Sequence, residues 1–176
     1  MIYYKQASSP KELEQILSLQ QKNLAKSLTV DELENEGFLT VEHSMDILQA
    51  MNEECGHIIA LEDGEVIGYA LCMHPKFANS IEVLKPMFVE INKAVAGKSN
   101  YMVMGQICVS KSHRGKGIFR NLYLTMKNKL PEGFDTIITE VDGKNKRSLS
   151  AHAAVGFQTL KVYLAGEKEW HLIELK

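Results

Sequence analysis

A glycine-rich turn links a predicted β-strand to a predicted helix two-thirds of the way along this 176-residue chain. The apolar run Tyr101–Val109 predicts the strand, and the apolar stripe that begins at Ile118 predicts the helix. The turn between them contains Arg114-Gly115-Lys116-Gly117. Glycine permits tight turns, and the first turn of a helix leaves backbone amides unpaired at its positive end. With two cations nearby, the segment is a chemically reasonable cradle for a phosphate or pyrophosphate group.

The turn does not match the two most familiar phosphate-binding patterns. The Walker loop requires a hydroxyl residue after its lysine, but Gly117 follows Lys116. The Rossmann pattern requires a third glycine, and Arg120 stands at that position. Two alternatives therefore stay open: a turn that only reverses the chain, and a phosphate-binding α/β protein that uses a nucleotide.

A short polar stripe further along the chain favours a binding function. Residues 145–155 predict a helix that Gly156 ends. Successive residues of a helix turn by about 100°, so Asn145, Ser148 and His152 fall on one face. The rest of this helix consists mainly of small and apolar residues.

The two segments together resemble the GNAT N-acetyltransferase superfamily. The acyl-CoA loop of that family reads Arg/Gln-x-x-Gly-x-Gly/Ala, and residues 114–119 follow this pattern except that Phe119 replaces the last small residue. The later family pattern reads Asn-x-x-Ala/Ser-x-x-x-Tyr-x-x-x-Gly-Phe. It is matched from Asn145 to Phe157, except that His152 replaces the tyrosine. We expect the Phe119 side chain to face the core.

The order of the elements predicts an α/β protein. Hairpins, such as the one expected at Asp63-Gly64, join antiparallel strands, whereas a crossover helix returns the chain to a parallel strand. With the resemblance, this pattern implies a GNAT-like fold: a mixed, mostly antiparallel, twisted central sheet with flanking helices. We expect one acetyltransferase-like domain over residues 1–176, because 176 residues suit a single domain.

The first half of the chain gives weaker signals for its boundaries. The acidic residues 30–39 predict a loop, and Thr40 predicts the start of the second helix. Pro86 interrupts a later helical pattern, so that helix is predicted to be kinked or to start late. Residues 97–100 predict a loop.

The resemblance implies direct transfer of an acetyl group from acetyl-CoA to an amine. The backbone of β-strand residues would pair with the pantetheine arm, the amides of the turn would hold the pyrophosphate, and two residues of the polar stripe would bind the cofactor from the opposite wall. The implied cofactor-binding residues are Ile107, Cys108, Val109, Arg114, Gly115, Lys116, Gly117, Ile118, Phe119, Asn145 and Ser148. The strands carrying Val109 and Ile138 would splay apart to admit the thioester.

Two residues are the predicted catalytic groups. His152 would donate a proton to the leaving thiolate or orient the sulfur, and Glu140 would act as the general base. Asp142 is an alternative base, although it equally suits a turn before Gly143. Further candidate bases, each of which also suits a surface or packing role, are Glu36, His43, Tyr69 and His74. A proton path through water would leave no trace in the sequence.

Composition limits the other functions that the chain could have. Twenty Lys and Arg against 22 Asp and Glu give a formal net charge of -2, without the basic excess typical of proteins that coat nucleic acid or anionic membranes. The three cysteines form no CxxC pair, so we expect reduced thiols and no metal site. Residues 1–10 have no apolar core of signal-peptide length, and the longest apolar stretch, near Val66–Met73, is far shorter than the ~20 residues that span a bilayer, so we expect a soluble, cytoplasmic protein. The predicted partner is an amine acceptor, either a small molecule or a protein. A homodimer stays open, as does a catalytically weak CoA-binding sensor with the same fold.

Overall fold

A seven-stranded sheet forms the centre of the protein, in the order β1-β2-β3-β4-β5-β7-β6. The computed structural model describes residues 1–35, 38–96 and 100–176. The strands are Tyr3–Gln6 (β1), Ile58–Glu62 (β2), Glu65–Met73 (β3), Tyr101–Val109 (β4), Thr136–Asp142 (β5), Gln158–Ala165 (β6) and Lys168–Leu175 (β7). Every neighbouring pair is antiparallel except β4 and β5, which are parallel. The predicted mixed, mostly antiparallel sheet is confirmed.

Helices cover both faces of this sheet. The α-helices of the described residues are Pro10–Gln21 (α1), Val30–Asn35 (α2), Met45–Glu54 (α3), Lys85–Val95 (α4), Ile118–Asn128 (α5) and Lys146–Val155 (α6). On one face, Ile16 of α1, Leu48 of α3 and Phe88 of α4 belong to one buried apolar cluster. On the other face, Leu122 of α5 and the partly buried Leu149 of α6 contribute to a second cluster. The flanking helices that the sequence predicted are confirmed.

The prediction that the second helix starts at Thr40 is wrong. The helix α3 begins at Met45, and the Ser44 side chain caps it by accepting a hydrogen bond from the Ile47 amide at 3.4 Å. The residues before Ser44 are held in other contacts, since the His43 amide donates to the Gln20 side chain at 2.8 Å. A tertiary contact thus overrides the helical pattern of the sequence.

The prediction of a loop over residues 30–39 is also wrong in part, because α2 occupies Val30–Asn35. The Thr29 hydroxyl accepts from the Glu32 amide at 3.3 Å, and the Glu32 carboxylate accepts from the Thr29 amide at 2.8 Å. This reciprocal pair is a capping box that the sequence signals. The helix interrupted by Pro86 starts late, at Lys85. Most of the loop predicted at residues 97–100 lies outside the described residues.

Candidate active site

The parallel strands β4 and β5 separate partway along their length. They pair only where residues 101–103 face residues 136–138. Just beyond this ladder, the Thr139 hydroxyl donates to the Met104 carbonyl at 2.8 Å. The register of β4 against β3 then shifts by one residue between Met104 and Ile107, and a bulge of this kind bends a strand and increases its twist. The separation leaves the β5-facing edge of β4 open from about Gly105 to Val109.

A cavity of about 340 Å³, here called the large cavity, lies beside this open edge, between the N-terminus of α5 and the helix α6. All of the predicted cofactor-binding residues except Lys116 line it: Ile107, Cys108, Val109, Arg114, Gly115, Gly117, Ile118, Phe119, Asn145 and Ser148. The Lys116 side chain is exposed at the surface of the turn. The fold therefore brings two segments some 30 residues apart to the walls of one cavity.

The glycine-rich turn presents unpaired backbone amides to the large cavity. Gly115 and Gly117 have φ angles of 77° and 78°, which L-residues with side chains rarely adopt. The first helical bond of α5 runs from the Asn121 amide to the Gly117 carbonyl at 3.1 Å. Among the described residues, the amides of 118–120 thus have no backbone acceptor. The positive end of α5 can bind an anionic group here.

The Arg114 side chain turns toward the neighbouring loop. Its Nη2 donates to the Asn23 side chain at 2.9 Å, and its Nε donates to the Val109 carbonyl at 3.3 Å. The guanidinium therefore joins the turn to the segment that follows α1. Its positive charge also remains at the mouth of the large cavity.

A second cavity of about 90 Å³, here called the small cavity, lies on the other side of the strand separation. Its polar lining includes Thr139, Glu140, Asp142 and His152. Five residues line both cavities: Phe38, Leu39, Ile107, Asn145 and Ser148. The two cavities therefore share a wall, and both predicted catalytic residues lie on the side of the small one.

Glu140 has an environment suited to a base at neutral pH. Burial raises the pKa of its carboxyl group to about 7, although a hydrogen bond from the Tyr163 hydroxyl opposes the rise. Asp142 is used differently, since its carboxylate accepts from the Lys144 amide at 2.9 Å and lies 3.6 Å from the Lys168 ammonium. Asp142 thus stabilises the turn before α6.

His152 is buried, and both of its ring nitrogens have partners. Nδ1 lies 2.7 Å from the carbonyl oxygen of Ser148, and Nε2 lies 2.7 Å from the Tyr123 hydroxyl. The ring packs edge to face against Phe119 and Phe157, with centroids 5.0 and 5.1 Å away. Burial lowers the pKa of His152 to about 4, so the ring is neutral at pH 7. The Phe119 side chain faces this aromatic group, which accounts for its replacement of a small residue.

Comparison with known proteins agrees with this geometry. The model of the Acetyltransferase (GNAT) family matches residues 21–157, more than three quarters of the chain. The protein belongs to this family. It is therefore a GNAT acetyltransferase. Among curated proteins, none matches the sequence at a significant level.

Solved structures similar to this GNAT acetyltransferase share its fold at low sequence identity. The ribosomal-protein-S18-alanine N-acetyltransferase from Escherichia coli aligns with a TM-score of 0.65 and 12% identity, over 99% of this chain and 93% of the other. A putative acetyltransferase from Salmonella typhimurium, solved with acetyl-CoA, aligns at 0.66 and 14%, over 100% and 94%. The NatC complex bound to Gag peptide and CoA aligns at 0.67 and 18%, over 99% and 97%.

Three of the remaining candidate bases do not line the small cavity, and the fourth lies outside the described residues. His43 and Tyr69 belong to one buried network. The Gln106 side chain accepts from Tyr69 at 2.6 Å and from the Gln20 side chain at 2.8 Å, and the Gln20 nitrogen also lies 2.9 Å from Nδ1 of His43. The His74 ring accepts from the Lys76 amide at 3.0 Å and caps a short turn. Glu36 lies outside the described residues.

Several residues of the acetyltransferase site carry no recognisable signal in the sequence. Phe38 lines both cavities, and its carbonyl accepts from the Asn145 side chain at 3.3 Å. Trp170 of β7 lines the small cavity, and Tyr163 of β6 contacts Glu140. None of the three belongs to a local motif, because each reaches the site only through the pairing of distant segments.

Within residues 1–35, 38–96 and 100–176 of the acetyltransferase, no group of three or more His, Cys, Asp or Glu side chains could hold a metal ion. None of the helices described there is long and apolar enough to cross a membrane. The three cysteines are buried free thiols, as the sequence predicted.

Proposed function

We propose that this acetyltransferase transfers the acetyl group of acetyl-CoA directly to a primary amine of a small molecule or a protein. The main support for this proposal is that two cavities share a wall where the strands β4 and β5 separate. The large cavity ends in an amide cradle for a phosphate group, and the small cavity contains a carboxyl group with a pKa near 7.

The large cavity suits the cofactor. The free edge of Ile107, Cys108 and Val109 can pair with the amide groups of the pantetheine arm as an added strand would. The amides that follow Gly117 and the charge of Arg114 can hold the pyrophosphate. Asn145 uses its side-chain oxygen to cap α6, accepting from the Ser148 amide at 3.1 Å, so its contact with the cofactor would come from its amide nitrogen.

Glu140 suits the role of general base in the small cavity. An alkylamine has a pKa near that of lysine, about 10.4, so deprotonation at pH 7.4 costs about 4 kcal/mol. A carboxylate with a pKa near the working pH is partly ionised and accepts a proton efficiently. In its ionised form Glu140 also gives the small cavity a negative charge that favours a cationic amine over an anionic acceptor.

The surroundings of His152 favour a structural role over the proton donation that the sequence predicted. A neutral ring with a pKa near 4 and with both nitrogens engaged is a poor proton donor at neutral pH. We propose that it holds α6 against α5 through Tyr123 and thereby fixes the wall that the two cavities share.

The alternative function is a CoA-binding sensor that performs no turnover. A panel assay separates the two: the purified protein is mixed with acetyl-CoA and free thiol is measured with small amines, lysine peptides and peptides with a free N-terminus. Reactions without an amine correct for hydrolysis. Thiol release that depends on one class of amine supports the acetyltransferase and names its acceptor. Saturable binding of CoA with no release for any class would favour the sensor.

A further inference from the structure

Ser148 places a hydroxyl group on the wall that the two cavities share. It lies in the first turn of α6, three residues after Asn145 and one turn before His152. Its side chain is partly exposed and lines both the large and the small cavity. The thioester of acetyl-CoA in the large cavity would meet an amine in the small cavity at this wall.

The hydrogen-bond network around His152 determines which group at this wall can donate a hydrogen bond to a ligand. Nδ1 of His152 lies 2.7 Å from the Ser148 carbonyl oxygen, and a carbonyl oxygen can only accept. The proton of the neutral ring is therefore assigned to Nδ1, and Nε2 accepts from the Tyr123 hydroxyl at 2.7 Å. His152 has no second proton to offer a ligand.

The same assignment leaves the hydroxyl proton of Ser148 free. Ser148 Oγ lies 3.3 Å from Nδ1 of His152, and because Nδ1 carries the proton, Oγ is the acceptor in this contact. Among the described residues no other hydrogen bond of Oγ is formed. Rotation about the C–O bond can then direct the O–H into the shared space of the cavities.

We propose that the Ser148 hydroxyl, and not the His152 ring, donates the hydrogen bond that stabilises the leaving thiolate of CoA. This role rests on the proposed function, because it requires acetyl-CoA in the large cavity. A hydrogen bond from a neutral donor to an anion is stronger than one between neutral groups, so the contact is worth most as charge develops on sulfur.

Ser148 keeps its own proton throughout the proposed reaction. The ammonium form of the acceptor first loses one proton to the Glu140 carboxylate, which passes it to solvent. The neutral amine nitrogen then attacks the thioester carbonyl carbon, the carbon–sulfur bond breaks and its electron pair moves to sulfur. The second proton, which nitrogen releases once the carbon–nitrogen bond has formed, goes to the Glu140 carboxylate in the same way. Ser148 only donates a hydrogen bond, since a hydroxyl is a weaker acid than a thiol, and the thiolate takes its proton from solvent.

The test compares Ser148→Ala with Ser150→Ala, which removes a hydroxyl from an exposed position of the same helix. The ultraviolet absorbance of thiolate gives the pKa of the CoA thiol when CoA is bound to each protein, and calorimetry gives the dissociation constant of CoA. A charged hydrogen bond is worth about one pKa unit or more. We expect Ser148→Ala to raise the bound thiol pKa by about one unit and to lower kcat about tenfold, with a change in CoA affinity below about threefold.

Three outcomes would overturn the role of Ser148. In the first, Ser148→Ala matches Ser150→Ala in both bound thiol pKa and kcat. In the second, Ser148→Ala weakens CoA binding but leaves kcat and the bound thiol pKa unchanged, which would make Ser148 a binding residue. In the third, the wild-type protein binds no CoA, and calorimetry then shows that the proposed function itself fails.

Discussion

The Tyr163 hydroxyl donates a hydrogen bond to the Glu140 carboxylate across the intervening strand β7. Tyr163 lies on the edge strand β6, whereas Glu140 lies on β5 beside the small cavity. Burial raises the pKa of Glu140, and the hydrogen bond favours its charged form. The edge strand thus helps to keep the proposed base ionised at neutral pH.

Removal of this hydroxyl should shift the pH dependence of the reaction. In Tyr163→Phe, Glu140 loses the donor that favours its carboxylate, so its pKa rises by about one unit. From a pKa of about 7, the ionised fraction at pH 7 then falls about fivefold. We expect kcat/KM at pH 7 to fall by that factor and to recover at higher pH, as a pH–rate profile measures. Tyr101→Phe, which removes a hydroxyl from the same apolar cluster, is the control. Profiles that coincide for the two variants would contradict the role of Tyr163.

Removal of the carboxylate itself should abolish most of the turnover. In Glu140→Gln the side chain keeps its size but cannot take a proton at neutral pH. General-base catalysis contributes about 10²–10⁴-fold, and kcat should fall by that range. The dissociation constant of acetyl-CoA should stay within about twofold, because Glu140 lines only the small cavity. A variant that keeps more than half of the wild-type kcat would show that another group, or water, removes the proton.

A methyl group at Gly117 should weaken cofactor binding. Gly117 caps α5 with φ at 78°, so Gly117→Ala strains the turn and displaces the amides that follow it. Gly133, with φ at 88°, is a turn glycine outside both cavities and provides the matched control. We expect both alanine variants to lose about 1–2 kcal/mol of stability in chemical denaturation. Only Gly117→Ala should bind acetyl-CoA at least about tenfold more weakly in calorimetry, and equal affinities for the two would remove the turn from the cofactor site.

The protein should lose stability as the pH falls from 7 to 5. Burial lowers the pKa of His43, His57 and His152 to about 4, whereas an unfolded histidine titrates near 6.5. Between these values the unfolded chain binds more protons than the folded one, so the free energy of unfolding decreases with falling pH. Each histidine contributes on the order of 2 kcal/mol between pH 7 and pH 5. Glu140 acts in the opposite sense, because burial raises its pKa to about 7 and the folded protein gains a proton there as the pH falls, which offsets about one of the three histidines. Urea denaturation of Glu140→Gln at the two pH values therefore measures the histidine contribution. Equal free energies of unfolding for that variant would mean that these rings are not buried in their neutral form.

The sequence predicted the elements whose signals are local. The strand Tyr101–Val109, the hairpin at Asp63-Gly64 and the helix that Asn145 caps all follow from apolar periodicity and from turn or capping residues. Most of the large cavity was predictable for the same reason, because two local motifs supply its walls. The capping box of Thr29 and Glu32 was also visible in the sequence, and it marks the short helix that was missed.

The rest of the site depends on contacts between distant segments. Phe38 meets Asn145 across 107 residues, and Tyr163 reaches Glu140 only because β7 returns between β5 and β6. No periodicity or spacing encodes such pairs. The hydrogen-bond partner Tyr123 likewise reaches His152 only through the packing of α5 on α6. The sequence position of His152 therefore predicted a proton donor, whereas its buried surroundings favour a neutral ring.

A thermal-shift titration with acetyl-CoA, run beside CoA, ATP and NAD, shows whether the large cavity binds the cofactor. Ligand at 100 times its dissociation constant adds about 2.7 kcal/mol of stability, which corresponds to about 5–10 °C for a chain of this size. We expect such a shift with acetyl-CoA and CoA and none with ATP or NAD. A chain that shifts with ATP or NAD, or that shows no shift with saturating acetyl-CoA, would contradict the assignment of the large cavity to the cofactor.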